Sequence, residues 1–111
     1  MLLAAVVALI LAQASEPPPP PEVVQAAQAF GTCVTERLDQ AEDGVRPEVI
    51  ADAILDHCRP QQEAMTASHA RWVRASSLTE REKARSLRNS ERNLRGMRAQ
   101  IIRAIRDGRR R

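Results

Sequence analysis

The feature that most constrains the fold is a pair of cysteines, Cys33 and Cys58, in a chain of 111 residues with no other cysteine. In an oxidising compartment two cysteines allow only one disulfide, which would stabilise the fold by about 3.5 kcal/mol in the chain-entropy account. A metal or redox pair and two free thiols are the alternatives. Because Cys-x-x-Cys spacing is absent and the chain has only 2 His, the sequence predicts a structural disulfide.

An apolar run at the amino terminus predicts export to such a compartment. The run covers residues 2–12, and the Ala-Gln-Ala of residues 12–14 fits the small-x-small pattern of a signal peptidase site. It is too short to span a bilayer, which needs about 20 apolar residues. No Lys or Arg precedes it, and a mis-assigned start codon would explain that departure. We therefore expect a signal peptide over residues 1–14 and a protein secreted to the periplasm or outside the cell.

A proline-rich linker is expected next, over residues 15–21. Pro17 to Pro21 are consecutive prolines, which favour the extended polyproline II conformation and a stiff spacer. A proline-rich ligand for another protein is the alternative.

Residues 22–60 predict two antiparallel helices joined by the disulfide. Gly44 is expected to cap the first helix in the left-handed conformation, and Pro47 to open the second. The short connection favours an antiparallel hairpin and places the cysteines at similar heights. Apolar residues three and four apart define one face of each helix: Val23, Ala27, Phe30, Val34 and Leu38, then Ile50, Ala53, Ile54 and His57 or Cys58.

Two further helices complete a single small domain of residues 22–107. Pro60 should interrupt the second helix, and a third helix is expected over residues 61–76. A capping box at Ser77-Leu78-Thr79-Glu80 predicts the start of the last helix, over 78–107, with a basic tail at 108–111. The face of the third helix should hold Ala64, Met65, Ser68, Trp72 and Ala75. The predicted fold class is all-α: a disulfide-linked antiparallel helical hairpin, a third helix and a long basic amphipathic C-terminal helix.

The last helix carries most of the positive charge. Residues 78–111 hold twelve Lys or Arg and four acids, whereas residues 15–77 hold five basic and ten acidic residues. Five arginines fall within about 80° of one another on a helical projection: Arg81, Arg85, Arg88, Arg92 and Arg95. An apolar stripe lies roughly opposite, comprising Leu87, Leu94, Met97, Ile101 and Ile105. Its spacing of seven residues between Leu87, Leu94 and Ile101 is typical of a short coiled coil.

Three interpretations of the basic helix are open. It could bury its apolar stripe on the hairpin and leave its arginines solvated. It could lie on an anionic membrane surface, although no Trp or Phe occupies its apolar face. It could contact a partner, either a second copy of the chain or an acidic protein or polymer of the envelope. Nucleic acid is not favoured, because no aromatic residues are interleaved for base stacking.

Candidate chemistry is sparse. Met65 and His69 are four residues apart and could share a copper(I) ion, and Asp52, Asp56 and His57 could cluster. Each set offers too few ligands at a diagnostic spacing for us to predict a metal or cofactor. No nucleophile motif, phosphate-binding glycine loop or apolar carboxylate pair is present, so we do not expect an enzyme.

One short segment resembles a known family. Leu78-Thr79-Glu80-Arg81-Glu82 is similar to the Leu-Thr-x-x-Gln signature of small periplasmic stress chaperones of the Spy and CpxP group. It departs at Glu82, where that group has Gln, and it occurs once where the group usually has two copies. The resemblance implies a chaperone-like or stress role.

The sequence as a whole favours a non-enzymatic binding or structural protein of the bacterial envelope. We expect Arg81, Arg85, Arg88, Arg92 and Arg95 to form its contact surface. Binding to an anionic membrane and the chaperone-like role are the alternatives.

Overall fold

A computed structural model describes residues 18–110 of the chain. It contains four helices, which we number α1 (Pro21–Asp39), α2 (Pro47–His57), α3 (Arg59–Ala75) and α4 (Glu80–Arg109). No strand occurs between residues 18 and 110, so the all-α prediction is confirmed. The predicted signal peptide and the first three residues of the proline-rich linker lie outside the described residues.

The predicted disulfide between Cys33 and Cys58 is present. The two Cα atoms lie 5.9 Å apart, Cys58 is fully buried and Cys33 is half-buried. Cys58 is the single residue between α2 and α3, and backbone hydrogen bonds continue across it to Ile54 and from Gln62. Pro60 lies in the first turn of α3, which begins at Arg59 and not at residue 61 as predicted; its missing N–H leaves no hydrogen bond unmade there. The bridge therefore ties α1 to the junction of α2 and α3.

The hairpin differs from its prediction in the packing partner of α1. Its main contacts are with α3 rather than with α2, and α4 packs chiefly on α2. Most of α1, including the buried Val23, precedes Cys33. In an antiparallel pair this part of the helix lies beside the chain that follows Cys58. The result is an elongated bundle with extents of 49 × 31 × 22 Å.

The core lies between α1, α2 and α4. Buried side chains of the three helices form one cluster, comprising Phe30, Ile50, Ala51, Ile54, Cys58, Ile101 and Ile105. Ala53 was predicted inside but is exposed, and Ala51 is buried instead, because the buried face of α2 has to meet both α1 and α4. Ala27 is also exposed, contrary to the prediction.

The predicted face of α3 is partly wrong. Ser68 and Val73 are its buried residues, although Val73 was not predicted to face inward. Met65 and Trp72 are half-buried, whereas Ala64 and Ala75 are exposed. The inward face of α3 is therefore centred differently from the predicted one, because this helix packs against both α1 and α4.

Several predicted helix ends move by a few residues. Pro21 belongs to α1 rather than to the linker, since proline is well tolerated at the first helical position. Pro20 keeps backbone angles close to polyproline II, with φ −57° and ψ 154°. Gly44 has a φ of 91° as expected, but it lies in the connection after α1 and does not cap that helix. The last helix continues through Gly108 to Arg109.

No helix within residues 18–110 has the combined length and hydropathy that a membrane span requires.

Candidate contact surface on the last helix

The last helix begins at a well-defined cap. Thr79 is its N-cap: its Oγ1 accepts a hydrogen bond from the Glu82 backbone N–H at 3.2 Å, and Glu82 Oε1 accepts one from the Thr79 backbone N–H at 3.4 Å. The predicted box at Ser77 and Glu80 is thus displaced by two residues. Both pairs fit the Ser/Thr-x-x-Glu pattern, and the observed one places two acids in the positively polarised first turn.

The apolar stripe of α4 faces the protein. Ile101 and Ile105 are buried in the core, and Met97 packs against it. Leu87 and Leu94 are half-buried. The buried stripe leaves the opposite side of α4 as its solvent-facing surface.

The arginines on that opposite side form what we call the arginine row: Arg81, Arg85, Arg88, Arg92 and Arg95. All five are exposed. Among residues 18–110, no ion pair is made by the first four members. The fifth, Arg95, has only a 4.0 Å contact with Glu91, and both side chains are about two-thirds exposed or more (72% and 67%). The row is therefore a line of exposed guanidinium groups, four of which make no ion pair among residues 18–110.

Other arginines of α4 are used to attach the helix. Arg98 donates to both carboxylate oxygens of Asp52 at 2.8 and 3.3 Å, and Arg106 donates to Glu48 at 2.6 Å. Arg109 donates to the backbone carbonyls of Glu42 and Val45 at 3.0 and 2.5 Å. These contacts fix α4 against α2 and against the connection between α1 and α2.

The row continues beyond the gap at Ala99 with arginines that the sequence analysis missed. Arg103, Arg106 and Arg110 fall in the same sector of about 80° on a helical projection, and all three are exposed, although Arg106 contacts Glu48. The same periodicity would have found them if it had been followed past Arg95. With them, the basic surface extends along almost the whole of α4.

The ion pairs between α4 and α2 predict a response to acid. A hydrogen bond from its own backbone N–H lowers the pKa of Glu48, with Arg106 contributing, and the hydrogen bond from Arg98 lowers the pKa of Asp52. Carboxyls whose pKa is lowered by folding stabilise the folded state at pH values above their ordinary pKa. That contribution is lost as the pH falls through about 4 towards the lowered values.

We therefore expect the unfolding temperature of the Glu48→Gln, Asp52→Asn variant to fall less steeply than that of the wild type between about pH 5 and pH 3. The effect should be modest because both pairs are exposed. Circular dichroism melts across this range measure it. Parallel slopes for the two proteins would contradict the assignment.

The other candidate residues do not assemble into a site. Asp52 contacts Arg98, Asp56 contacts Arg59 at 3.0 Å, and His57 Nδ1 lies 2.7 Å from Arg37 Nη2. Within residues 18–110, no group of three or more His, Cys, Asp or Glu side chains could hold a metal ion.

Met65 and His69, the possible copper pair, contact different neighbours. Met65 packs against the core. His69 stacks edge-on against Trp72 with ring centroids 6.0 Å apart, and burial lowers the pKa of His69. These neighbours explain the two side chains without a metal.

The capping box also accounts for the five-residue resemblance to the periplasmic chaperones. Thr79 and Glu82 are both used in the cap, which is a common local arrangement at helix starts. No family model, curated protein or solved structure matches the chain.

Proposed function

We propose that this protein is an exported, non-enzymatic binding protein of the bacterial envelope that contacts an anionic partner through the arginine row. One observation carries the proposal. Four of the five guanidinium groups make no ion pair among the described residues, whereas Arg98, Arg106 and Arg109 of the same helix all have acceptors. A set of exposed arginines on one side of a supported helix is suited to an external anion.

Guanidinium chemistry supports an anionic partner. Arginine stays charged at all physiological pH values and presents donors in a planar fork that matches carboxylate and phosphate oxygens. Exposed pairs contribute little one by one, so such a surface would depend on several contacts acting together and would weaken as salt rises.

The burial of the apolar stripe bears on the membrane alternative. Ile101 and Ile105 are buried in the core, so they are not available to enter the acyl region of a bilayer. Binding to an anionic membrane would then rest on headgroup contacts of the arginine row alone. The disulfide is compatible with an oxidising compartment and so supports export.

Two variants with equal net charge test the proposal. The row variant changes Arg81, Arg88 and Arg95 to Gln. The control variant changes three other exposed arginines, Arg46, Arg71 and Arg74, to Gln. Both lose three positive charges, and all six positions are at the surface.

We expect the row variant to elute from heparin-agarose at clearly lower salt than the control variant, and the five-fold Arg→Gln variant to lose retention. Helicity measured by circular dichroism should be unchanged in each. Equal elution of the two triple variants would mean that only net charge matters, and the row would then not be the contact surface. Co-sedimentation with vesicles containing phosphatidylglycerol, compared with phosphatidylcholine alone, tests the membrane alternative.

A further inference from the structure

Two exposed ion pairs join α4 to α2, beside the apolar packing of the same two helices. Glu48 and Asp52 lie four residues apart on α2, and they contact Arg106 and Arg98, which lie eight residues apart on α4. The order is reversed between the two helices, since the earlier acid meets the later arginine. Two antiparallel helices are thus linked by carboxylates on one and guanidinium groups on the other.

The arginine row repeats with the periodicity of a helix face. From Arg81 to Arg95 its members are four, three, four and three residues apart. This alternation averages 3.5 residues, the repeat with which two helices keep contact along their length. The row runs nearly parallel to the axis of α4 and is about 21 Å long at 1.5 Å per residue.

The spacing of the row suits a helical anionic partner. A bilayer surface presents mobile headgroups and requires no regular spacing of arginines. An α-helix with acids alternately three and four residues apart has the same axial rise and nearly the same drift around its axis as the row. Its carboxylates would meet successive guanidinium groups over the full length of the row.

We propose that the arginine row docks an acidic, antiparallel α-helix of a partner protein through carboxylate–guanidinium pairs like those between α2 and α4. This inference rests on the proposed function and specifies its partner. The contact is polar: the large hydrophobic residues that are exposed in the described part of the chain are Val24 and Val49, on α1 and α2. Binding should therefore fall steeply with salt.

Two synthetic peptides of identical composition test the register. Both are designed as alanine-rich helices with five glutamates. In the first peptide the glutamates alternate at spacings of three and four residues along one face. In the second they are distributed around the helix. Fluorescence anisotropy of the labelled peptides with the full chain, over a salt series, gives their affinities, and circular dichroism confirms equal helicity.

We expect the one-face peptide to bind at least about ten-fold more tightly than the distributed one, a difference of about 1.4 kcal/mol. The Arg81→Gln, Arg88→Gln, Arg95→Gln variant should lose this preference, and the Arg46→Gln, Arg71→Gln, Arg74→Gln control should keep it. Equal affinities for the two peptides, or tighter binding to phosphatidylglycerol vesicles than to the one-face peptide, would overturn the inference.

Charge reversal provides a second measurement. An Arg81→Glu, Arg88→Glu, Arg95→Glu variant should reject the glutamate peptide and bind a peptide with lysines at the same three-four spacing in preference to a distributed lysine peptide. Failure to discriminate between the lysine peptides, in a variant that remains helical, counts against helix recognition. If the two peptides bind equally but heparin retention still depends on the row, only the proposal of an acidic helix partner is refuted. Loss of the heparin difference would refute the contact surface itself.

Discussion

Replacing both cysteines, Cys33→Ala with Cys58→Ala, is expected to lower the free energy of unfolding by about 3.5 kcal/mol. The bridge closes a loop with a sequence separation of 25 residues, and removing it returns that freedom to the unfolded chain. For a domain of this size the loss corresponds to a fall in unfolding temperature of roughly 15–25 °C. Thermal melts followed by circular dichroism measure it.

A matched control keeps this prediction specific. Thr32 and Thr35 flank the bridge on α1 and are exposed, so their replacement by Ala should change the unfolding temperature by only a few degrees. Reduction of the wild-type disulfide should reproduce the double cysteine variant. If the cysteine variant lies within about 1 kcal/mol of the wild type, the bridge is not the main constraint on this fold.

Phe30→Ala is expected to lower the free energy of unfolding by about 3–5 kcal/mol, the usual range for truncating a buried aromatic. Phe30 is 4% exposed and belongs to the cluster that joins α1 to α2 and α4. The free energy of unfolding of a small domain is only about 5–15 kcal/mol, so the variant should be marginally folded at 37 °C. Urea unfolding at 25 °C measures the difference.

Val24 on the same helix provides the comparison. It is 39% exposed, so Val24→Ala should stay within about 0.5 kcal/mol of the wild type. A similar loss in both variants would indicate that α1 is destabilised as a helix, and the packing of Phe30 would not be the cause.

The bridge and the number of helices could be predicted because they depend on local signals. Two cysteines can pair in one way, Pro47 and Pro60 lie in the first turns of helices, and apolar residues three or four apart identify a buried side. The partner of each helix could not be predicted in this way. Whether α1 packs mainly on α2 or on α3 depends on how the chain passes Cys58, and the exposure of Ala53 depends on α4, which also packs on α2.

The candidate surface was predictable as a pattern but not as a set of contacts. Arg98 and Arg106 have the same chemistry as Arg88, and sequence spacing alone does not distinguish an arginine that binds Asp52 or Glu48 from one that faces water. That distinction requires the position of α2 relative to α4. The two possible capping boxes show the same difficulty, because each satisfies the local rule and the packed structure uses only one of them.

The separation of charge between the helices has a kinetic consequence. In the described chain, residues 18–77 carry nine acids and five arginines, whereas α4 carries ten basic residues and four acids. A molecule with this distribution has a permanent electric dipole, so the field of an approaching anion turns it until α4 points forward. Productive collisions then become more frequent than random orientation allows. Added salt should therefore slow association with an anionic partner, even where the lifetime of the complex changes less.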